Sequence, residues 1–221
     1  MYKAFVFDLD GTLLDTLEDL QDAVNAALVA YGFPLRSIDE VRAFIGNGIV
    51  NLMKRAIGRT DYPDFAGVMQ AFKEHYKVHC ADKTKPYDKV LDLLQELRAR
   101  GVKTAVLSNK ADFAVKQLAK TYFDGLLDEA VGENEEAGVR KKPAPDALFT
   151  VMEALGVKRE ETVYIGDSEV DIQTAKNAGV DCVCVTWGFR DKAFLQEQGG
   201  EIFVGTPQEI LSFVGKDGTT K

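Results

Sequence analysis

Two histidines, one tryptophan and three cysteines among 221 residues leave little material for several common kinds of site. Cys80, Cys182 and Cys184 are odd in number and form no framework, so the chain is not a disulfide scaffold. Cys182 and Cys184 alternate with Val183 and Val185, which puts both thiols on one face of a strand as core residues. That pair lacks the further ligands zinc takes. His75 and His79 stand four apart on one helical face without carboxylates at matching spacing, so they read as exposed residues. Positive charge is also short: 27 Lys and Arg stand against 35 Asp and Glu, a net charge of -8. Such a surface repels nucleic acid and anionic lipid, so neither is expected as a partner. Any anionic substrate must be drawn in by a local site. No apolar run approaches the ~20 residues of a membrane span. The run before Asp8 is too short for a signal peptide, and a cytoplasmic location is expected.

What is present fits an ordinary globular protein, with 46% hydrophobic and 28% charged residues. The length suffices for one large domain carrying a smaller insert. Residues 4–7 form a short apolar strand that ends in Asp8-Leu9-Asp10-Gly11-Thr12. From there to residue 82 the patterning is helical, with segments predicted at 15–32, 41–45, 48–57 and 65–80. The rhythm then alternates. Strands are predicted at 102–107, 126–131, 162–165, 182–185 and 202–204, between helices at 90–100, 111–120, 145–155, 168–177 and 207–214. Alternation of this kind implies an α/β fold, a Rossmann-like parallel sheet with helices on both faces. The expected organisation is an α/β core of residues 1–15 and 83–221 with an inserted all-helical cap of residues 16–82.

In an open parallel sheet, ligands bind outside the carboxyl ends of the strands. Four chemically distinctive segments fall at such ends or just before a helix. They are Asp8 to Thr12, Ser108-Asn109-Lys110, Lys141-Lys142-Pro143, and Gly166 to Asp171. Asp8 and Asp10 repel unless a cation or a proton lies between them, and Asp167 and Asp171 add negative charge. Hard oxygen ligands of this kind suit magnesium, which shares its site with substrate phosphate. Lys142 supplies a cation, and Ser108 and Asn109 supply donors, which makes sense if a phosphate joins them. Taken singly, each segment reads as a turn, a helix cap or a solvated lysine. Their order and spacing together carry the functional reading.

With these residues, above all Phe7-Asp8-Leu9-Asp10-Gly11-Thr12-Leu13-Leu14-Asp15-Thr16, the chain resembles the haloacid dehalogenase-like superfamily. Within it, it resembles the phosphoglycolate phosphatase group with a helical cap, over about residues 2–214. The resemblance implies a magnesium-dependent phosphatase acting on a small phosphorylated metabolite. It makes Asp8 the nucleophile that forms an aspartyl phosphate. It makes Asp10 the acid and base, with its backbone carbonyl on the metal. As the acid, Asp10 must hold a proton, which neighbouring carboxylate charge favours. Asp8 must stay ionised, which the metal and Lys142 favour. Asp8 and Asp167 are the implied side-chain magnesium ligands, and Asp171 orients Lys142 or a metal-bound water. Ser108 and Lys142 bind the phosphoryl group, Asn109 and Lys110 follow the family form, and Gly11 and Thr12 shape the first loop.

The cap is placed to close over the site. Its candidate substrate-facing tip is Gly46-Asn47-Gly48, whose competing reading is a plain helix-to-helix turn. Lys54 and Arg55 read as a solvated helix face. The segment Trp187-Gly188-Phe189-Arg190 borders the pocket in this reading, with Arg190 as a substrate contact. A sugar phosphomutase of the β-phosphoglucomutase type would share every catalytic residue, and a pyrophosphatase would differ only in substrate. A dehalogenase has no use for Asp10 and Ser108. A non-catalytic metal-binding module has no need of all five of Asp8, Asp10, Ser108, Lys142 and Asp167. The sequence leaves monomer or homodimer open.

Overall fold

In the computed structural model, residues 2–46, 48–134 and 138–215 are described. The chain divides into two units, Met1–Leu14 with Pro86–Lys221, and Asp15–Lys85. The elements of the first unit begin with β1 (Ala4–Phe7). The chain crosses into the second unit at β2 (Leu14–Asp15). There it forms α1 (Leu17–Ala30), α2 (Ile38–Phe44), α3 (Gly48–Ile57) and α4 (Phe65–His79). It returns at β3 (Lys85–Pro86), which pairs with β2. The rest of the first unit is α5 (Val90–Ala99), β4 (Lys103–Ala111), α6 (Asp112–Phe123), β5 (Glu129–Glu133), α7 (Asp146–Leu155), β6 (Thr162–Gly166), α8 (Glu169–Ala178), β7 (Asp181–Val185), α9 (Lys192–Glu197), β8 (Ile202–Val204) and α10 (Pro207–Ile210).

The six-stranded sheet has the order β5-β4-β1-β6-β7-β8, and every pairing is parallel. Helices cover both faces. This is why β1 and β6 are wholly buried, apolar runs rather than alternating ones. Val6, Ala105, Leu107 and Tyr164 from three adjacent strands pack against Leu148 and Val151 of α7 and Ala175 of α8. Register sets the site. Phe7 lies opposite Val106 on one side and Ile165 on the other. The residues that follow, Asp8, Leu107-Ser108 and Gly166-Asp167, therefore leave the sheet side by side.

Local signals explain several boundaries. Helix α7 follows Pro145 and stops at Gly156, which takes φ +67°. Helix α8 opens with a capping box in which Ser168 and Asp171 each bond the other's backbone N–H. In the second unit, Asp19 near the start of α1 is buried and accepts the N–H groups of Lys83 and Thr84, tying the returning chain to the first helix. Phe72 and Tyr76 of α4 stack within its core. No helix among the described residues is long and apolar enough to cross a membrane.

Some elements differ from the sequence reading. The strand predicted at 102–107 runs on to Ala111, with an irregular register between Leu107 and Ala111. The polar segment Ser108-Asn109-Lys110 is thus held as strand rather than released as loop. The strand predicted at 126–131 lies at Glu129–Glu133, because Asp128 turns back to bond the Thr104 N–H. Helix α9 was not foreseen. Asp191 caps it by accepting the Phe194 N–H at 2.8 Å. The helix predicted at 207–214 ends early and continues as a 3-10 turn over Leu211–Phe213. Cys184 is a buried core thiol beside Leu195, as its alternation implied, whereas Cys182 is half-buried.

Candidate active site

The carboxyl ends of β1, β4 and β6 bring four segments of the first unit together. At the centre, one oxygen from each of Asp8, Asp167 and Asp171 lies within 4.8 Å of the others, and all three residues are buried. Lys142 Nζ sits 2.9 Å from Asp8 Oδ1 and 2.7 Å from Asp171 Oδ1. The contact to Asp171 is a hydrogen bond, and Nζ makes another to the Tyr164 hydroxyl at 3.1 Å. The contact to Asp8 is a close ion pair, and apart from this ammonium the buried Asp8 Oδ1 has no donor.

The Lys142 backbone is fixed by Asn109. Its Oδ1 accepts the Lys142 N–H at 2.8 Å and its Nδ2 donates to the Lys142 carbonyl at 3.0 Å. Asn109 was expected to face substrate, yet these two bonds engage both ends of its amide in holding the lysine. Ser108 is buried, and its Oγ accepts the Lys110 N–H at 3.3 Å. Asp171 is immobilised from behind. Its Oδ2 accepts the Ser168 hydroxyl at 2.6 Å and the Ser168 N–H at 3.1 Å.

Asp167 is built in from another direction. Its Oδ2 accepts the Phe189 N–H at 2.7 Å and its Oδ1 the Thr12 hydroxyl at 3.3 Å. The surroundings are too tight for side chains at two glycines. Gly11 takes φ +85°, and a Cβ there would come within 2.2 Å of Asp167 Oδ2. A Cβ at Gly188 would meet the Gly11 carbonyl and Asp167 Cβ at 2.4 Å each. Trp187 donates its indole N–H to the Thr12 carbonyl at 3.0 Å. The segment after β7 therefore braces the first loop. Arg190, expected as a substrate contact, pairs with Glu169 and lies over the Phe194 ring.

Asp10 has a neighbour that the sequence reading did not give it. Its Oδ1 receives the buried Lys110 ammonium at 2.7 Å, so the carboxylate is beside a cation and not only among carboxylates. In the second unit, Gly46 after α2 takes φ +123° and Gly48, the first residue of α3, takes φ +78°, and the Arg55 guanidinium donates to the Phe44 carbonyl at the end of α2. Asn47 lies outside the described residues. Lys54 covers the Phe65 ring, and His79 pairs with Asp82 while its ring lies against that of His75.

The electrostatics of the cluster favour a cation. Burial pushes the Asp8 carboxyl up to about 7 although Lys142 pulls it down, with Asp171 and Asp10 pushing the same way as burial. Burial, and then the charges of Asp171 and Asp8, push Asp167 well above the ordinary carboxylate range. Burial works against the Lys142 charge, yet Asp171 and Asp8 hold it firmly as ammonium. The expectation that Lys142 helps keep Asp8 ionised has the right sign, but one ammonium does not offset burial for three carboxylates. A divalent ion would supply the missing charge. The donors are carboxylate oxygens, with no thiol or imidazole among them, which suits magnesium.

Comparison with known proteins decides the family. The haloacid dehalogenase-like hydrolase model matches residues 5–185. The chain belongs to that family. This hydrolase is 36% identical over 197 residues to the phosphoglycolate phosphatase of Thiobacillus denitrificans, covering 85% of this chain and 84% of that one. It is 30% identical over 217 residues to the phosphoglycolate phosphatase of Aquifex aeolicus, covering 96% of each chain. A crystal structure from Lactobacillus delbrueckii subsp. bulgaricus, provisionally named phosphoglycolate phosphatase, superposes with a TM-score of 0.89 at 39% identity, over 97% of this chain and 99% of that one. Its likeness within the family is thus to the phosphoglycolate phosphatase-like enzymes.

Sequence reasoning set Gly188 and Phe189 at the border of the pocket without their roles there: it missed Tyr164, the close approach of Gly188 to Asp167, the Phe189 N–H as a donor to Asp167, and the pairing of Lys110 with Asp10. Tyr164 alone left a trace: it carries a hydroxyl in the middle of an apolar strand. The other three depend on chain segments far apart in sequence.

Proposed function

We propose that this phosphatase is magnesium-dependent and hydrolyses small acidic phosphomonoesters, phosphoglycolate foremost, through a phosphoryl-Asp8 intermediate. The observation that carries the reading is the buried triad of Asp8, Asp167 and Asp171 with Lys142 against Asp8. The substrate comes from the curated relatives.

Magnesium, held by Asp8, Asp167 and the Asp10 carbonyl, would offset carboxylate charge and polarise the phosphoryl oxygens. Ser108 and the Lys142 N–H on the Asp8 side bind the other phosphoryl oxygens. An Asp8 oxygen attacks phosphorus as the bond to the leaving oxygen breaks, and Asp10 gives that oxygen its proton. Asp10, now a carboxylate, takes a proton from water as the water oxygen attacks the same phosphorus. The bond to Asp8 breaks, inorganic phosphate departs and Asp8 is restored. Lys110, 2.7 Å from Asp10, balances the Asp10 charge once that proton has been given up. Asp171 and Asn109 aim Lys142, and Gly11 and Thr12 give Asp167 its place.

The test is phosphate release from a panel of phosphomonoesters, with magnesium or with chelator, beside Asp8→Asn. Release that requires magnesium and disappears in Asp8→Asn is expected, with phosphoglycolate among the better substrates. No release by the wild type with magnesium would overturn the reading. Transfer of phosphate between sugar positions would replace it by a mutase.

A further inference from the structure

A tyrosine with no exposed surface is ordinarily a packing residue, and Tyr164 does pack against Val6 and Leu148 in the core. Packing does not account for its hydroxyl. Burying an O–H costs free energy unless it is paired, and phenylalanine would fill the same space without that cost. This hydroxyl has three partners, two within site segments and one at the residue before a third. It lies 3.1 Å from the Leu107 carbonyl, immediately before Ser108. It lies 3.2 Å from Asp171 Oδ1. It accepts from Lys142 Nζ at 3.1 Å, and the ammonium is 5.7 Å from the centre of the same ring.

An ammonium has three N–H donors. Asp171 and Tyr164 take two of those of Lys142 as hydrogen bonds, and Asp8 Oδ1 lies 2.9 Å from the same nitrogen. Two fixed N–H directions leave the third determined. We infer that Tyr164 is a positioning residue for phosphoryl transfer, its hydroxyl holding the Lys142 ammonium from behind so that the remaining N–H is kept for the Asp8 side. Asp171 alone would let Nζ swing about a single bond. The two acceptors together define its orientation, and the hydroxyl is itself held by its two acceptors, the Leu107 carbonyl and Asp171 Oδ1. The charge of Lys142 survives without Tyr164; its aim does not. This inference rests on the reading of Asp8 as nucleophile and Lys142 as phosphoryl-binding cation.

The experiment compares wild type, Tyr164→Phe and Val163→Ala in magnesium with a saturable phosphomonoester, recording kcat, KM and Tm. Val163 is equally buried on the same strand and serves as a packing control. Tyr164→Phe is expected to lower kcat at least fivefold with KM within threefold of wild type, because binding charge is kept and alignment is lost. Val163→Ala is expected to lower Tm and leave kcat unchanged. A smaller change of kcat in Tyr164→Phe, or an equal loss of kcat in Val163→Ala, overturns the inference. Should Tyr164→Phe fail to fold, Tyr164→Met lacks the same hydroxyl and carries the same expectation. An inactive wild type would instead sink the nucleophile reading, and this inference with it.

Discussion

Removing the proposed nucleophile should make the metal-free protein more stable above neutral pH. Asp8 titrates at 3.8 in an ordinary environment and is pushed up to about 7 in the fold, chiefly by burial. Between those values the folded chain holds a proton that the unfolded chain has released. The contribution of Asp8 to stability is therefore complete below 3.8 and is lost as pH rises through 7. At about 1.4 kcal/mol per pH unit, the loss is at most about 4 kcal/mol by pH 8. Asn at this position never ionises, and Lys142 keeps Asp171 as a counterion. Part of the gain is offset by the weaker attraction of Asn for the ammonium, so a net gain of about 2–3 kcal/mol is expected. The assay is urea unfolding of wild type and Asp8→Asn with chelator, from pH 5 to 8.5. The two should converge at the acid end and separate progressively above it, with Asp8→Asn the more stable. Magnesium at pH 8 should narrow or reverse the difference, because a ligand stabilises the form that binds it. A variant no more stable than wild type at pH 8.5 with chelator would refute the electrostatic account.

Lys142→Met should cost about 3–5 kcal/mol in urea unfolding at pH 8, since it strands buried Asp8 and Asp171 without their cation, and should abolish phosphate release. A loss under 1 kcal/mol would mean that water already screens the cluster. Gly188→Ala forces a methyl against Asp167 and the Gly11 carbonyl, so the magnesium concentration for half-maximal activity should rise about 10–100-fold. An unchanged magnesium requirement would show that Asp167 does not depend on that close approach.

Much of the fold was legible because its signals are local. The apolar runs of β1 and β6, the Pro145 start and Gly156 stop of α7, and the Ser168 cap of α8 all sit within a few residues of what they define. The helical patterning of 15–80 was equally local, and it corresponds to α1 to α4 of the Asp15–Lys85 unit. The errors fall where a distant partner decides. β4 continues through Ser108, Asn109 and Lys110 and pairs again with β5 at Ala111. No intrinsic preference of Asn or Lys asks for a strand there.

The same division runs through the site. Asp8, Asp10, Ser108, Lys142 and Asp167 were readable because a parallel sheet puts strand ends on one edge, so polar residues there stand out against apolar runs. What each does to the others was not readable. Asn109 looked like a ligand donor and is bound to the Lys142 backbone. Asp10 looked like one more carboxylate in a crowd and has a lysine of its own. Tyr164 looked like core. The residue types and their order along the chain determined that an acidic, cation-seeking, phosphate-suited edge would form. Distances of about 3 Å between residues as much as 175 apart, such as Thr12 and Trp187, are set only when the sheet register closes. They decided which of those groups is held and which is paired.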